Sequence, residues 1–254
     1  FANLHTPVGR KVTRNHPPIP GADATDHDTM HPGVWLAFGD INGQDFWRNK
    51  GRIEHVRFLE PPRSSVGQLT FAMECLLLAT NGTPLCLLTN HFTLSQLTNA
   101  WLLVWDATFR AEALDVVFGD QEEMGFGVRV GTAIAEKNGG MITSSSGLKT
   151  AKSTWGRAAE WCDYSGTVEG QQVGITLVAH PANFRASWWH NRDYGLMVAN
   201  PFGREAMKQG PKSVVMVRRG ESRRLRFAAA IHTGHNADPA MFQKHFLLEI
   251  PSAR

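Results

Sequence analysis

The sequence predicts an all-β protein, a single-domain antiparallel β-sandwich with one helix at its C-terminal end. Short apolar runs recur along the chain, separated by Gly, Asn, Asp and Pro, which is the pattern of strands joined by turns. Apolar residues at helical spacing are scarce before the last part of the chain. Many short strands at fairly regular spacing are typical of sandwiches and barrels. No linker-like change in composition divides residues 1–254, so we expect one domain.

The predicted strands follow the apolar runs. The segment 223–233 alternates most clearly, with Leu225 and Phe227 on one face and Arg224 and Arg226 on the other. The predicted strands are 34–38, 53–59, 69–80, 85–94, 101–109, 113–118, 126–131, 173–179, 194–199, 213–219 and 223–233.

Turn and helix signals fit this reading. Asn81-Gly82 predicts a turn between two strands. The helix is predicted over 239–248, with Asp238 as its N-cap and Pro239 in its first position. Residues 136–170 show no strong strand pattern, and we expect a long loop over a sheet face.

The composition is that of an ordinary globular protein and argues against nucleic-acid binding. Hydrophobic residues make up 42% and charged residues 19%, and the net charge is +3. The arginines between 218 and 226 are interpreted as the solvated face of a strand pair around Gly220. No apolar run reaches the length of about 18 residues that a membrane span needs. We expect neither a nucleic-acid partner nor a membrane span.

The cysteine spacing favours buried thiols. Cys75, Cys86 and Cys162 form no CxxC pair and no zinc-binding spacing. Cys75 and Cys86 would bridge only if their strands pair as a hairpin. The sequence opens at Phe1 rather than Met, which fits a cleaved signal peptide or a boundary of the expressed fragment.

The segment 178–203 concentrates polar and aromatic side chains between two apolar runs. Ionisable groups lose solvation when they are buried without a partner, so such a concentration indicates a site. His190 and Asp193 form a candidate acid–base couple. Adjacent residues of an extended chain face opposite ways, so only one of the two Trp side chains lines a pocket. The candidate substrate-binding residues in this segment are His180, Asn183, Trp188, Trp189 and Arg192.

A second polar cluster precedes the first predicted strand. Asp26, His27 and His31 allow three interpretations: a divalent metal held by the two histidines, an acid–base or substrate-binding pair, or a loop tied by its own side chains. Asn42 lies in a following turn and is a candidate for recognising hydroxyl groups. Trp47 is either a core residue or a platform for a sugar ring.

Two further segments supply candidate binding residues. Arg129 lies on an alternating strand, opposite in direction to its apolar neighbours, where a guanidinium usually anchors a carboxylate or a ligand. Glu136 opens the loop that follows. Asp163 and Tyr164 add a polar and aromatic patch, for which a tightly packed loop is the alternative.

Four segments together resemble the DUF6807 family: DHDTMHPGVWLAFGDINGQDFW, GFGVRVGTAIAEKNGG, WGRAAEWCDYSG and GITLVAHPANFRASWWHNRDYGLMVANPFG. The family's first motif usually reads DHPHH, and this chain keeps Asp26, His27 and His31 of it. The resemblance implies a β-supersandwich related to galactose-mutarotase-like domains. Secreted planctomycete-type members look closest, which implies a secreted or periplasmic protein whose signal peptide has been removed.

The resemblance also implies carbohydrate processing. The family carries the label "methane oxygenase PmoA", but membrane methane monooxygenase subunits span the bilayer many times, so we do not transfer methane oxidation to this chain. We expect an enzyme acting on glycosides or polysaccharide fragments, a hydrolase or lyase with a carbohydrate ligand in a cleft on a concave sheet. His31, His190 and Asp193 are the expected catalytic residues, and a divalent metal at His27 and His31 remains open. The alternatives are a non-catalytic carbohydrate-binding module and a copper-dependent oxidase.

Overall fold

The computed structural model describes residues 1–249, and strands make up most of their regular structure. Two short 3-10 turns lie at Thr132–Ile134 and Glu136–Asn138. The strands and helices are β1 (Val34–Phe38), β2 (Arg52–Ser65), β3 (Gln68–Leu78), β4 (Pro84–Gln96), β5 (Ala100–Arg110), β6 (Val116–Phe118), β7 (Met124–Arg129), β8 (Met141–Ser144), α1 (Ala151–Thr154), β9 (Trp161–Val168), β10 (Gln171–Ala179), β11 (Trp188–Arg192), β12 (Leu196–Asn200), β13 (Val215–Val217), β14 (Ser222–Thr233) and α2 (Pro239–Glu249).

Two antiparallel sheets form the sandwich. The larger sheet has eight strands in the order β2-β3-β4-β5-β14-β10-β9-β8, and the smaller has four in the order β1-β7-β12-β11. Strands β6 and β13 form a separate ribbon. The inner faces of the two sheets meet in one apolar core, where Phe126 of β7 stacks on Phe227 of β14 at a centroid distance of 5.1 Å. The predicted all-β sandwich with a C-terminal helix is confirmed.

Strand β14 shows how the sequence pattern sets the layers. Leu225 and Phe227 enter the main core, as the alternation predicts. On the opposite face, Ala228 packs with Phe242 and Phe246 of α2, so the helix covers the outer side of the larger sheet. The predicted solvated face is wrong at this point, because the side chain of Arg226 is buried there.

The prediction of a long loop over 136–170 is wrong. Strands β8 and β9 lie in this segment and extend the larger sheet beyond β10. In β9 the inward residues Cys162 and Tyr164 alternate with Asp163 and Ser165, which face the other side. Because those outward residues are polar, the segment lacks the apolar run that marks a strand.

The two predicted turns have different outcomes. The Asn81-Gly82 turn joins β3 to β4 as predicted. The turn at Gly220 does not join a strand pair, because β13 pairs with β6 and β14 pairs with β5 and β10.

Strand β11 was missed because its sequence is almost wholly polar and aromatic. The cysteines Cys75, Cys86 and Cys162 are buried free thiols, as the sequence favours.

Gly127 of β7 makes room for an indole on the smaller sheet. A Cβ atom there would lie 2.8 Å from ring atoms of Trp35 and 3.0 Å from Val198. We expect Gly127→Ala to displace the indole and lower the free energy of unfolding by about 1–3 kcal/mol, measured by urea denaturation. Gly131→Ala is the matched control, because its Cβ would meet no atom closer than 3.6 Å and its φ is −60°. Equal losses in the two variants would contradict this role for Gly127.

Candidate functional site

The outer face of the smaller sheet, which is the face turned away from the core, carries the largest group of predicted site residues. The strand register places Trp35, Val198 and His190 in one row across β1, β12 and β11. The next row on the same face contains Arg129 and Arg192. Side chains alternate between the two faces of a strand, so these groups all point away from the core.

The loop before β1 lies over this face and is held by one guanidinium. Arg14 is only 1% exposed. It donates hydrogen bonds of 2.5 to 3.3 Å to the backbone carbonyls of Ala24, Asp26, His27 and Met30. The planar guanidinium group of Arg14 therefore fixes the path of the loop that carries the candidate site residues Asp26 and His27.

His31 is the most buried polar group of that loop, with 6% of its surface exposed. Its ring lies 4.8 Å from Trp35 and 4.7 Å from Trp47, measured between centroids, and 5.6 Å from His27. The backbones of His27 and His31 are both left-handed, with φ of 51° and 59°. Such a conformation is uncommon for residues other than glycine, and strained residues cluster at functional sites.

Arg129 links the loop to the sheet. Its Nη2 donates to Asp26 Oδ1 at 2.9 Å, and its guanidinium lies 4.5 Å above the ring of Tyr194. Burial raises the pKa of Asp26, but the hydrogen bond and the charge of Arg129 outweigh it and lower the pKa overall. Arg14 lies 3.9 Å from the same carboxylate oxygen, so two buried guanidinium groups share one carboxylate.

Several buried polar atoms at this place have no hydrogen-bond partner within residues 1–249. They are both ring nitrogens of His31, Nε1 of Trp35 and Nη1 of Arg129. Unsatisfied buried groups are rare in folded proteins, and each calls for an explanation. Most of these atoms are donors, so a ligand that brings acceptor oxygens would satisfy them.

His190 forms a pair with Glu122, a residue that the sequence analysis missed. Its Nδ1 lies 2.9 Å from the backbone oxygen of Glu122 and donates to it, and its Nε2 lies 3.3 Å from the Glu122 carboxylate. Arg192 donates to that carboxylate at 2.6 Å. Asn200 holds the Glu122 carbonyl through a further hydrogen bond of 3.0 Å. Arg192 thus positions the carboxylate of Glu122, and Asn200 positions its backbone carbonyl.

We use the term outer-face site for this group. Its members are Asp26, His27, His31, Trp35, Trp47, Glu122, Arg129, His190, Arg192 and Tyr194.

Both buried histidines of the outer-face site are neutral near pH 7. Burial, reinforced by the charges of His27 and Arg129, lowers the pKa of His31 to about 3. Burial and the charge of Arg192 lower the pKa of His190 to about 4. With Nδ1 of His190 donating to a carbonyl, its Nε2 is the ring position that takes up a proton, next to a carboxylate that stabilises the protonated form.

These pKa values predict a pH dependence of stability. In the unfolded chain a histidine has a pKa of about 6.5, so below that pH the unfolded state binds protons that folded His31 and His190 do not. The free energy of unfolding therefore falls as the pH drops from about 6.5 towards 5, by up to about 1.4 kcal/mol per pH unit for each histidine. Urea denaturation at several pH values measures this slope. His31→Gln is expected to flatten it, and an unchanged slope would contradict the assignment.

The two adjacent tryptophans separate as predicted. Trp189 lies in the core, where its Nε1 donates to the carbonyl of Ala159 at 3.0 Å. Trp188 lies on the outer face of β11, half-buried, with the guanidinium of Arg185 5.3 Å from its ring. Only Trp188 is therefore on the same face as His190.

The predicted His190–Asp193 couple is not formed. Asp193 lies beyond the end of β11, is exposed, and lines a neighbouring cleft together with Glu136. Arg192 contacts both places, because it lines that cleft and also binds Glu122.

Two predicted residues of β9 lie elsewhere. Asp163 points to the face covered by α2, where its Oδ1 accepts from Thr176 at 2.7 Å and contacts His232 Nε2 at 2.7 Å. Tyr164 points into the core, and its hydroxyl accepts from the backbone N–H of Glu136 at 2.6 Å. The structure does not bring either side chain to the outer-face site.

Three other predicted residues contact neighbouring elements away from the outer-face site. Asn42 accepts from the N–H of Val117 at 2.7 Å and thereby ties its turn to β6. Asn183 accepts from the N–H of Arg226 and donates to the same residue's carbonyl, at the edge of β14. His180 packs its ring against Phe246 of α2. None of the three joins the outer-face site.

The donor set at His27 and His31 does not suit a metal ion. The part of the chain that the structure describes contains no group of three or more His, Cys, Asp or Glu side chains placed to hold one. The nearest carboxylate, Asp26, is bound to Arg129. The positive charges of Arg14 and Arg129 help to lower the pKa of His31, and they would repel a metal cation bound there.

The missed residues had unequal signals in the sequence. Trp35 alternates with the buried Val34 and Leu36, so its outward direction was readable from the pattern of β1. Glu122 and Arg14 lie in segments without periodicity. Their partners are remote in sequence, so no local pattern marks them.

A family profile decides the membership of the chain. The family described as "Family of unknown function (DUF6807)" matches residues 3–246. The chain belongs to the DUF6807 family. The resemblance found in the sequence is therefore confirmed over nearly the whole chain. A comparison with curated proteins found no match.

Solved structures add a weaker likeness. A galactose mutarotase-like protein from Lactobacillus casei ATCC 334 is 10% identical, with 83% of this chain and 89% of that one covered and a TM-score of 0.39. A galactose mutarotase related enzyme from Lactobacillus acidophilus is 9% identical, with 87% and 94% covered and a TM-score of 0.35. At these scores the likeness carries no argument, and the sandwich rests on the strand pairing of this chain. Within residues 1–249, no helix has the length and apolar character to traverse a bilayer.

Proposed function

We propose that the protein is a carbohydrate-processing enzyme whose chemistry takes place at the outer-face site. The observation that carries this proposal is the convergence of unpartnered buried polar groups on His31, Trp35 and Arg129 beside the His190–Glu122 pair. Glycosides or polysaccharide fragments are the proposed substrates, and hydrolysis or elimination is the proposed reaction.

The residue types favour a sugar over other small ligands. Unpartnered N–H groups of Trp35 and Arg129 require acceptor oxygens, which sugar hydroxyl and ring oxygens supply. The indoles of Trp35 and Trp47 are buried and pack against the ring of His31, so they form the apolar wall that holds this histidine in place.

The His190–Glu122 pair supports acid–base chemistry. Neutral His190 accepts a proton at Nε2, and the carboxylate at 3.3 Å stabilises the protonated ring. Glu122 thereby has the role that the sequence predicts for Asp193. His31, with its pKa lowered to about 3, stays neutral and acts as a hydrogen-bonding partner of the ligand. Hydrolases and lyases both need a group that moves one proton in this way.

An activity screen tests the proposed function against two alternatives. A carbohydrate-binding module would bind sugars without turnover, and a copper oxidase would need a metal site that the donors at His27 and His31 do not provide. The purified protein is screened for turnover on plant and algal polysaccharides and on 3-keto-glycosides, with its metal content measured alongside. We expect turnover of a carbohydrate without stoichiometric copper. Binding without any turnover would replace the enzyme by the module, and copper-dependent oxidation would overturn the proposal.

A further inference from the structure

A second cleft lies beside the outer-face site, between α1 and the edge strand β11. We call it the α1 cleft; its volume is about 350 Å³ and its lining includes Glu136, Lys152, Trp155, Asn191, Arg192 and Asp193. Two of these residues, Glu136 and Arg192, were candidates for substrate binding from the sequence, and Asp193 was a candidate catalytic residue. The structure brings Glu136 close to the adjacent pair Arg192 and Asp193, although 56 residues separate it from Arg192.

Two buried polar atoms in the α1 cleft lack a partner among the described residues. They are Nε1 of Trp155, a donor, and Oδ1 of Asn191, an acceptor. Asn191 is only 1% exposed, and its orientation is fixed because its Nδ2 donates to Oγ1 of Thr154 at 2.8 Å. A hydroxyl group both accepts and donates, so a hydroxylated ligand can satisfy the indole N–H and the amide oxygen.

The charges around the cleft are mixed. The guanidinium of Arg192 lies 5.8 Å and the ammonium of Lys208 lies 5.7 Å from the centre of the Trp155 ring. Glu136 and Asp193 bring carboxylates to the same cleft. Because both signs are present beside an aromatic ring, the lining favours a neutral polyhydroxylated molecule over an anion or a cation.

Arg192 connects the two places. It lines the α1 cleft, and its Nη2 donates at 2.6 Å to the Glu122 carboxylate that faces His190. A ligand bound against Trp155 would therefore lie next to the His190–Glu122 pair, because Arg192 contacts both. Two adjacent polar sites that share one arginine suit a chain of linked sugar units.

We propose that the α1 cleft is a second carbohydrate subsite, so that the preferred substrate contains at least two linked sugar units. This inference rests on the proposed function, because it takes the outer-face site as the place of reaction. Trp155 and Asn191 are binding residues in this proposal and stand apart from the groups that move the proton.

The test compares Trp155→Phe with the wild type on two substrates. One is the oligosaccharide that the wild type converts best, and the other is the aryl glycoside of its single reacting sugar. Removing the indole N–H is expected to lower kcat/KM for the oligosaccharide by about 10-fold, mainly through KM, and to change that for the aryl glycoside less than about 2-fold. Trp161→Phe, an indole in contact with α2-packed residues, is the control and should change neither.

Each outcome decides the proposal. Equal changes on both substrates, or none on either, would overturn the second subsite while leaving the proposed function intact. A wild type that neither binds nor converts any sugar would overturn both. If Trp155→Phe does not fold, as judged by circular dichroism, Lys152→Ala on the exposed side of the cleft replaces it, with the same selective loss on the oligosaccharide expected.

Discussion

Replacing His190 with alanine is expected to lower kcat by about 10²- to 10⁴-fold, because it removes the group that accepts the proton. Affinity for the substrate should change only a few-fold, since Arg129, Trp35 and His31 stay in place to bind it. Turnover is measured on the best substrate from the screen, and affinity by calorimetry with the reaction product.

The control for this prediction is His91→Ala. His91 is exposed on β4 of the larger sheet, so its loss should leave both turnover and affinity unchanged. Retention of full turnover in His190→Ala would contradict the acid–base role. Glu122→Gln provides a second view of the pair, since it removes the charge that stabilises a protonated His190 and should also lower kcat.

Arg14→Lys is expected to lower the free energy of unfolding by about 3 kcal/mol and to weaken ligand binding. A lysine ammonium cannot replace the planar fork that donates to four carbonyls of the loop, and burying those carbonyls without partners is costly. Urea denaturation measures the stability, and calorimetry measures the binding.

Arg10→Lys is the matched control for this substitution. Arg10 lies nearby in sequence, but its ion pair with Glu169 is at the surface, and such pairs contribute little to stability. If Arg14→Lys and Arg10→Lys behave alike, Arg14 does not organise the loop.

The fold was predictable where one face of a strand is apolar and the other is not. Strand β14 shows this, since Leu225 and Phe227 enter the core at the predicted positions. Helix α2 was predictable from its N-cap residue Asp238, whose Oδ1 accepts a hydrogen bond from the N–H of Ala240 at 3.0 Å. Strands β9 and β11 escaped prediction because buried or half-buried polar groups interrupt their apolar pattern.

The outer-face site was predictable only as separate segments. The sequence singled out His31, Arg129 and His190. Strand register places Arg129 and His190 on one face, and the loop before β1 brings His31 against Trp35 on that face. The sequence did not show that Glu122, rather than Asp193, faces His190. That pairing depends on the loop before β7 passing beside β11, a contact between residues remote in sequence.

For the same reason, the sequence could not show that two of the candidate residues, Asp163 and His180, lie away from the outer-face site. Asp163 was a candidate because it lies next to aromatic residues, and His180 was a candidate because it follows a predicted strand. In the structure both lie on the side of the larger sheet that α2 covers. Local composition identifies candidates, whereas the face to which a side chain points depends on the pairing of the whole sheet.

A crystal structure of the protein with a bound oligosaccharide tests the central claim most directly. We predict a sugar unit on the outer face of the smaller sheet, with an oxygen within hydrogen-bonding distance of Arg129 Nη1 and the reacting bond beside Glu122 and His190. A sugar bound only elsewhere, for example beside Asp163 and His232 under α2, would contradict the assignment of the outer-face site.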